Sequence, residues 1–435
     1  MSQTVRLRNT NATTSSLSQR QIEMASPLSP EDSIALIKAN LAEVLNPEII
    51  DDVILKEKRP LKVYWGTATT GKPHCGYFVP MMKVAELLAA GCHIKILLAD
   101  IHGYLDNMKA PFELVEFRAK YYGKIIRSLL KAVGVDITRL EFVQGSSYQL
   151  SKEYTMDRFK LEGMTRINVA QKAGAEVVKQ SDDPFLGGLV YPLMQALDEQ
   201  YLDVDCQFGG IDQRKIFTFA MENLPKLNYK GRAHLMNAMV PGLGEAVKMS
   251  SSEADSKIDL LDAPEAVEKK LRKAVCVPKQ VEGNGVIAFV EHVIMRALAL
   301  KGGSNFVVQR KDQEPLIYES ADKLKEDYAA DILTPQLLKS ALAHHLNELL
   351  APIRAEFDAD EEWKAIEVQA YPPEKATVKV KKVKDKGDPA KRAAAAAARQ
   401  KVVAQPDGHV EGPDADKVNV GGSVAETLQK LKVDE

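Results

Sequence analysis

The stretch from residue 61 to residue 100 constrains the fold more than any other. Residues 62–66, Lys-Val-Tyr-Trp-Gly, read as a short strand. Apolar positions over residues 77–90 then recur at helical spacing, and Gly91 suits the residue that ends a helix. Residues 93–100, His-Ile-Lys-Ile-Leu-Leu-Ala-Asp, follow as a nearly continuous apolar run, the pattern of a strand buried on both faces of a parallel sheet. Strand, helix and strand in this order make a βαβ unit. An α/β fold is therefore expected, and its ligand edge lies at the carboxyl end of the first strand.

Other elements fall around this unit. Ser29-Pro30-Glu31-Asp32 offers an N-cap, a proline at the first helical position and acids in the first turn. A short helix is expected over residues 47–57, helices over 111–133, a strand at 141–144 and one helical stretch over 152–179. A strand is expected over 201–207, ending in Gly209-Gly210. Residues 263–365 read as all-helical, with helices near 264–274, 285–299, 320–330 and 335–351, so a domain boundary is placed near Ala263. Residues 374–401 hold ten Lys or Arg against three Asp or Glu, and six alanines run from Ala393 to Ala398. That is a basic low-complexity segment.

Composition excludes several classes. The 435-residue chain is 45% apolar and 27% charged with net charge −2, so any nucleic-acid surface must be a local patch. Cys75, Cys92, Cys206 and Cys276 are scattered and form no C-x-x-C, which fits a reducing compartment and no metal ligand set. No apolar run reaches the roughly 18 residues of a membrane span. Residues 1–22 carry Arg6, Arg8 and Arg20 with many hydroxyl residues and no acid. This composition fits a disordered extension and also a mitochondrial transit segment.

The loop after the first strand reads Gly66-Thr-Ala-Thr-Thr-Gly-Lys-Pro. Up to Lys72 it has the front of a P-loop. Pro73 then removes a backbone N–H and supplies no hydroxyl for a metal, which argues against a phosphate cradle of that kind. His74-Cys75-Gly76-Tyr77 comes next, at a helix start that could face a phosphate or merely cap the helix. Further on, Lys248-Met-Ser-Ser-Ser252 follows the Gly-rich Val240-Pro-Gly-Leu-Gly244. One lysine and three hydroxyls suit a polyphosphate; a solvated loop is the plainer reading. Tyr191, Gln195 and Asp198 fall at i, i+4 and i+7 of an apolar helix. Core hydrogen bonding and a bound polar ligand both explain such a stripe.

Taken together, these motifs resemble class I aminoacyl-tRNA synthetases. Gly66 to His74 with the following Cys-Gly-Tyr resembles their HIGH signature in its eukaryotic form, and Lys248-Met-Ser-Ser-Ser252 resembles their KMSKS loop. The Tyr-x-x-x-Gln-x-x-Asp helix with Gly209-Gly210-Ile-Asp212-Gln213 resembles the amino-acid pocket of the tyrosyl-tRNA synthetase family, over about residues 31–370. The resemblance implies a Rossmann-type parallel-sheet catalytic domain at 29–262 with a helical connective insertion at roughly 110–190. It implies an all-α anticodon-binding domain at 263–372, between a disordered 1–28 and a basic tail at 373–435. It implies a cytoplasmic homodimer, without membrane contact, that acts on L-tyrosine, ATP with Mg2+, and tRNA(Tyr).

Roles carried over by the resemblance are as follows. Thr69 and His74 hold the β- and γ-phosphates, joined by Lys248, with Ser250, Ser251 and Ser252 shaping the loop. Gly66, Gly76, Gly209 and Gly210 border ATP, and Asp212 accepts from its ribose. Tyr64 and Asp198 meet the tyrosine hydroxyl, while Tyr191, Gln195 and Gln213 hold its ammonium and carboxylate end. Ser251 and Tyr77 stand where the family often has a lysine and a histidine, which leaves the missing charge to a monovalent cation or magnesium. The rivals are a tryptophanyl-tRNA synthetase and a catalytically silent, synthetase-derived RNA-binding protein. Lys269, Lys270, Arg272 and Lys273 form either a solvated helix face or a phosphate contact. The tail is either a nonspecific RNA binder or a solubilising or localisation segment. With no appended second RNA-binding domain, a fungal-like plan is expected.

Overall fold

The computed structural model describes residues 28–106, 111–178, 184–243, 257–303 and 305–372. The expectations for residues 1–27 and for the basic tail lie outside the described residues.

Ser29 caps α1 (Pro30–Lys38), accepting from the Asp32 N–H at 3.0 Å. A short β1 (Glu43–Leu45) follows, then α2 (Pro47–Asp51), which continues through a wider π-helical turn, Asp52–Lys56. The βαβ unit comes next as β2 (Lys62–Ala68), α3 (Phe78–Ala89) and β3 (His93–Ala99). Gly91 takes φ +88° after α3, a conformation that costs a side-chain-bearing residue dearly. Then come α4 (Asp100–Leu105), α5 (Phe112–Ala132) and β4 (Leu140–Gln144). The helices α6 (Ser146–Gln149), α7 (Lys152–Met164), α8 (Ile167–Gly174) and α9 (Leu186–Tyr201) lead to β5 (Cys206–Gly210), α10 (Arg214–Asn223) and β6 (Ala233–Asn237).

The six strands form one sheet in the order β1-β6-β5-β2-β3-β4, parallel except where β1 meets β6. The chain steps outward from β2 to β3 and β4, then returns to the other side of β2 with β5. The carboxyl ends of β2 and β5 therefore diverge into a crevice, the usual ligand position in such sheets. Asp100 fastens the neighbouring strand ends, accepting from Gln144 Nε2 at 2.8 Å and from the Ser146 N–H at 2.9 Å.

Beyond residue 257 come α11 (Pro264–Lys273) and a long helix built of α12 (Gly285–Phe289), a π-helical turn at Val290–Met295 and α13 (Arg296–Leu300). A hairpin of β7 (Phe306–Arg310) and β8 (Gln313–Tyr318) precedes α14 (Ala321–Ala329), α15 (Pro335–Ala359) and α16 (Glu361–Ala370). These elements pack on α5 and α3. Ion pairs stitch the contact: Lys124 to Asp360 and Glu362 at 2.7 and 2.8 Å, and Arg296 to Glu86 at 2.6 Å.

The helical stretch expected over 152–179 holds two helices, α7 and α8. Three expectations need correction. Residues 263–372 are not all-helical: the β7–β8 hairpin turns at Asp312, φ +57°, within a charge-rich Arg-Lys-Asp-Gln-Glu run that hides its alternation. The strand expected at 141–144 is β4, but it is an edge strand of the main sheet, so the stretch 110–190 is not a helical insertion throughout. The strand expected from Tyr201 starts only at Cys206, since α9 runs on through Tyr201. The strands β1 and β6 escaped notice: one is three residues long, and all five residues of the other are buried.

The chain at 241–242 lies directly on the start of α12, and a Cβ on Gly285 would overlap the Gly242 carbonyl. Gly285→Ala is expected to lower unfolding stability by about 1–3 kcal/mol, the usual cost of overpacking. Urea denaturation against the wild type checks this.

Candidate active site

The closed end of the crevice is built around one carboxylate. Asp198, on α9, is wholly buried. Its Oδ1 lies 2.8 Å from Tyr148 Oη, 2.8 Å from Gln149 Nε2 and 3.0 Å from Tyr154 Oη, all three able to donate to it. Its Oδ2 has no hydrogen-bond partner among the described residues; His102 Nε2 is 3.9 Å away, and burial lowers the pKa of that ring. Burial pushes the Asp198 carboxyl above the ordinary carboxylate range in spite of the three donors. An unanswered buried carboxylate oxygen costs free energy until a donor arrives.

That oxygen borders a pocket of about 310 Å³, lined also by Tyr64, His102, Tyr191, Gln195, Gln207 and Gln213. Tyr64 enters from β2 and donates to the Gln195 carbonyl at 3.2 Å. Burial first, and the charge of Asp198 second, hold its phenol protonated well beyond the usual range, so it stays a donor. Gln195 Nε2 donates to Gln213 Oε1 at 2.8 Å. Gln213 reaches back over the end of β5, where a Cβ on Gly209 would come within 2.7 Å of its Oε1. A Cβ on Gly210 would overlap the Asp212 carboxylate. Gly209, where a Cβ would also meet the Phe217 ring at 2.8 Å, thus has a structural reason to be glycine; at Gly210 the Asp212 side chain can swing aside.

A second cavity, about 1220 Å³ of open space, adjoins the first through Gly66, Ala68, Tyr191 and Gln213. His74, Gly76, Gly209 and Gly210 line it. His74 Nδ1 accepts from the Gly76 N–H at 3.1 Å. This fixes the tautomer: in the neutral ring the proton sits on Nε2. Burial, with the charge of Lys257 second, lowers the His74 pKa to about 4, so the ring is neutral at pH 7. The His74–Cys75 backbone is held by the segment that follows residue 256: His74 bridges Asp259, and the Cys75 N–H donates to the Ile258 carbonyl at 2.9 Å.

The loop between β2 and His74 is no phosphate cradle. Arg118 donates to the Thr70 carbonyl at 2.5 Å, and the hydroxyls of Tyr122 and Tyr371 donate to the Gly71 carbonyl at 2.6 and 3.2 Å. Lys72 is paired with Asp259 at 3.0 Å and with Glu367 at 2.7 Å. Thr69 is fully buried, its Oγ1 makes no hydrogen bond among the described residues, and it lines neither cavity. A Cβ on Gly66 would meet only ordinary contacts, the nearest at 3.6 Å.

The structure therefore gathers Tyr64, Gly66, His74, Gly76, Tyr191, Gln195, Asp198, Gly209, Gly210 and Gln213 around two joined cavities. Asp212 is half-buried and lines neither cavity. Lys248, Ser250, Ser251 and Ser252 lie outside the described residues. Sequence reasoning missed His102, Tyr148, Gln149, Tyr154 and Gln207. They come from four separate elements, and no spacing links them. The one available signal was that Asp198, alone on an apolar helix, had to find donors somewhere. In the basic cluster, Lys270 is taken by Asp262 at 2.6 Å, while Lys269, Arg272 and Lys273 are exposed near the carboxyl end of α11. Cations there are favoured by the helix dipole. Among the described residues no group of three or more His, Cys, Asp or Glu forms a metal-ligand set.

His74 makes stability depend on pH. The unfolded imidazole takes up its proton near 6.5, the folded one only near 4. The unfolded state thus binds more protons between these values, and the stability present above 6.5 is lost as pH falls. Replacing His74 by Asn, which keeps a cap acceptor, should flatten this acid limb by about 2 kcal/mol at pH 5 relative to pH 7.5. Urea titrations of both proteins at the two pH values check it.

Comparison with known proteins agrees with this geometry. Residues 56–351 match the family model for class I tRNA synthetases (W and Y). The cytoplasmic tyrosine–tRNA ligase of Saccharomyces cerevisiae is 53% identical over 371 residues, which are 83% of this chain and 94% of that protein. The cytoplasmic enzyme of Danio rerio is 53% identical over 351 residues, 80% of this chain but 65% of that longer protein. The tyrosyl-tRNA synthetase of Archaeoglobus fulgidus, solved with L-tyrosine, superposes with a TM-score of 0.68 at 36% identity, covering 75% of this chain and 99% of that one. The match spans the sheet, both cavities and most of the helical region behind them: the chain belongs to the class I tRNA synthetases of the tryptophan and tyrosine group.

Proposed function

We propose that this chain is a tyrosine–tRNA ligase, which condenses L-tyrosine with ATP to tyrosyl-adenylate and passes the tyrosyl group to the 3′ adenosine of tRNA(Tyr). The observation that carries the reading is Asp198 Oδ2, a buried acceptor without a donor at the end of a small closed pocket. A phenol hydroxyl supplies that donor, and Tyr64, whose proton otherwise goes to the Gln195 carbonyl, can turn to donate to it. Phenylalanine leaves the Asp198 oxygen unanswered and is rejected for that reason. An indole offers a donor but no acceptor toward which Tyr64 could turn.

Tyr191 and Gln213 at the junction of the cavities, with Gln195 of the smaller one, suit the ammonium and carboxylate of the amino acid. The open cavity suits ATP. The tyrosine carboxylate attacks the α-phosphorus and pyrophosphate leaves, so no covalent enzyme intermediate is needed. The neutral His74, with its proton on Nε2, donates to the phosphates as charge builds there, a preorganised contribution of the oxyanion-hole kind. Gly209 and Gly210 border the nucleotide and Asp212 suits its ribose hydroxyls. Thr69 joins the phosphates only if its buried hydroxyl turns outward. Lys248 with Ser250, Ser251 and Ser252 is assigned to the same phosphates by motif. Magnesium arrives on the nucleotide, and a monovalent cation is the candidate for the charge that Ser251 does not supply.

Exposed apolar side chains at Leu150, Phe159, Ile167 and Leu186 support pairing with a second copy through the α6–α9 region. The relatives' cytoplasmic names support the same compartment here. The exposed Lys269, Arg272 and Lys273 and the basic tail are the candidate tRNA contacts. Residues 263–372 are assigned to the anticodon arm.

ATP–pyrophosphate exchange should be fast with tyrosine and near background with tryptophan or phenylalanine. Asp198→Ala should abolish the tyrosine-dependent exchange, by at least about a hundredfold, with an unchanged circular dichroism spectrum. A variant with wild-type kinetics removes Asp198 from the pocket. Removing residues 374–435 should raise the KM for tRNA at moderate salt, and an unchanged KM removes RNA binding from the tail.

A further inference from the structure

Lys72 sits in the loop that leads from β2 to His74, yet the function above gives it no task. Its ammonium lies between two carboxylates from distant parts of the chain, Asp259 at 3.0 Å and Glu367 of α16 at 2.7 Å. The side chains are 26%, 22% and 26% exposed, so the cluster lies at the edge of the protein rather than in its core. Two carboxylates already neutralise the ammonium, and Lys257 lies close enough to feel both Asp259 and Lys72. A phosphate would gain little there.

The position of the cluster is more telling than its charge. Asp259 is the residue whose backbone bridges His74, and its neighbour Ile258 accepts the Cys75 N–H. On the other side, the end of α16 grips the same loop. Tyr371 donates to the Gly71 carbonyl, and Arg118 joins the Thr70 carbonyl to that of Ala370, the second at 3.2 Å. Lys72 is thus where the His74 segment, the 257–259 segment and the last described helix meet.

We propose that Lys72 is a positioning residue for amino-acid activation. By tying Asp259 to Glu367 it fixes the 258–259 backbone against His74, and so the direction in which the His74 Nε2–H meets the nucleotide phosphates. It follows that α16 serves the chemistry at the sheet edge as well as packing on α5. The proposal rests on the reading of the open cavity as an ATP site. Partly exposed ion pairs contribute little to stability, whereas a displacement near 1 Å at a reacting group slows the reaction strongly. A positioning role therefore separates catalysis from stability.

The test uses the full-length protein in ATP–pyrophosphate exchange, together with tyrosine binding measured at equilibrium without ATP. Lys72→Met should lower kcat/KM for ATP by about tenfold or more and leave the tyrosine Kd within twofold. Glu367→Gln, which touches neither cavity, should lower kcat/KM for ATP in the same sense. Lys72→Arg, whose fork can span both carboxylates, should recover most of the loss. Unchanged ATP kinetics in Lys72→Met overturn the proposal. So does an equal weakening of tyrosine binding, which marks general disruption, and so does a loss confined to Lys72 with Glu367→Gln unaffected, which marks direct phosphate contact. If the wild type itself shows no tyrosine-dependent exchange, the tyrosine-ligase reading fails first; a fully active wild type beside an indifferent Lys72→Met overturns this inference alone.

Discussion

Everything in this molecule is arranged around the central place of β2. With β3 on one side and β5 on the other, both parallel to it, β2 has its full ladder of partners and its carboxyl end opens at the reversal of strand order. A strand so placed is buried on both faces, and its alternation sends Tyr64 to one face and Trp65 to the other. The crevice follows from connectivity alone. Side chains on β2, β5 and α9 then divide it into a closed, polar-ended pocket and an open cavity.

The two cavities differ in how they treat charge. In the closed one a carboxylate is kept from water and answered on one oxygen by three donors, while its second oxygen has none among the described residues. In the open one, burial keeps His74 neutral and a backbone N–H holds its Nδ1, which leaves the Nε2–H as a neutral donor. Both devices are preorganised: the cost of desolvation is met during folding, and little rearrangement remains when substrate binds.

The helical region shares one apolar core with the sheet domain, and ion pairs cross the same contact. Arg296 reaches from the helical region to Glu86, and Lys124 and Lys72 reach back to that region. Lys72 and Arg118 do so at the backbone of the loop that ends at His74. The helical region and the sheet edge thereby share a mechanical element, which is the physical precondition for any coupling between them.

The amino-acid sequence determined the βαβ unit, the loop at its ligand edge and the polar stripe Tyr191, Gln195 and Asp198, because each depends on local periodicity and on residues close in the chain. It determined also that Pro73 breaks a P-loop. Tertiary structure alone decided that Asp198 is answered by Tyr148, Gln149 and Tyr154, that Gly209 makes room for Gln213, and that Lys72 belongs to Asp259 and Glu367. It decided too that residues 306–318 form a hairpin, where charged side chains on a mostly exposed β8 mask the alternation. Apart from the hairpin and the approach of Gln213 to Gly209, such contacts join residues tens to hundreds of positions apart. No local pattern records them, because burial and pairing become defined only when the sheet has closed around its central strand.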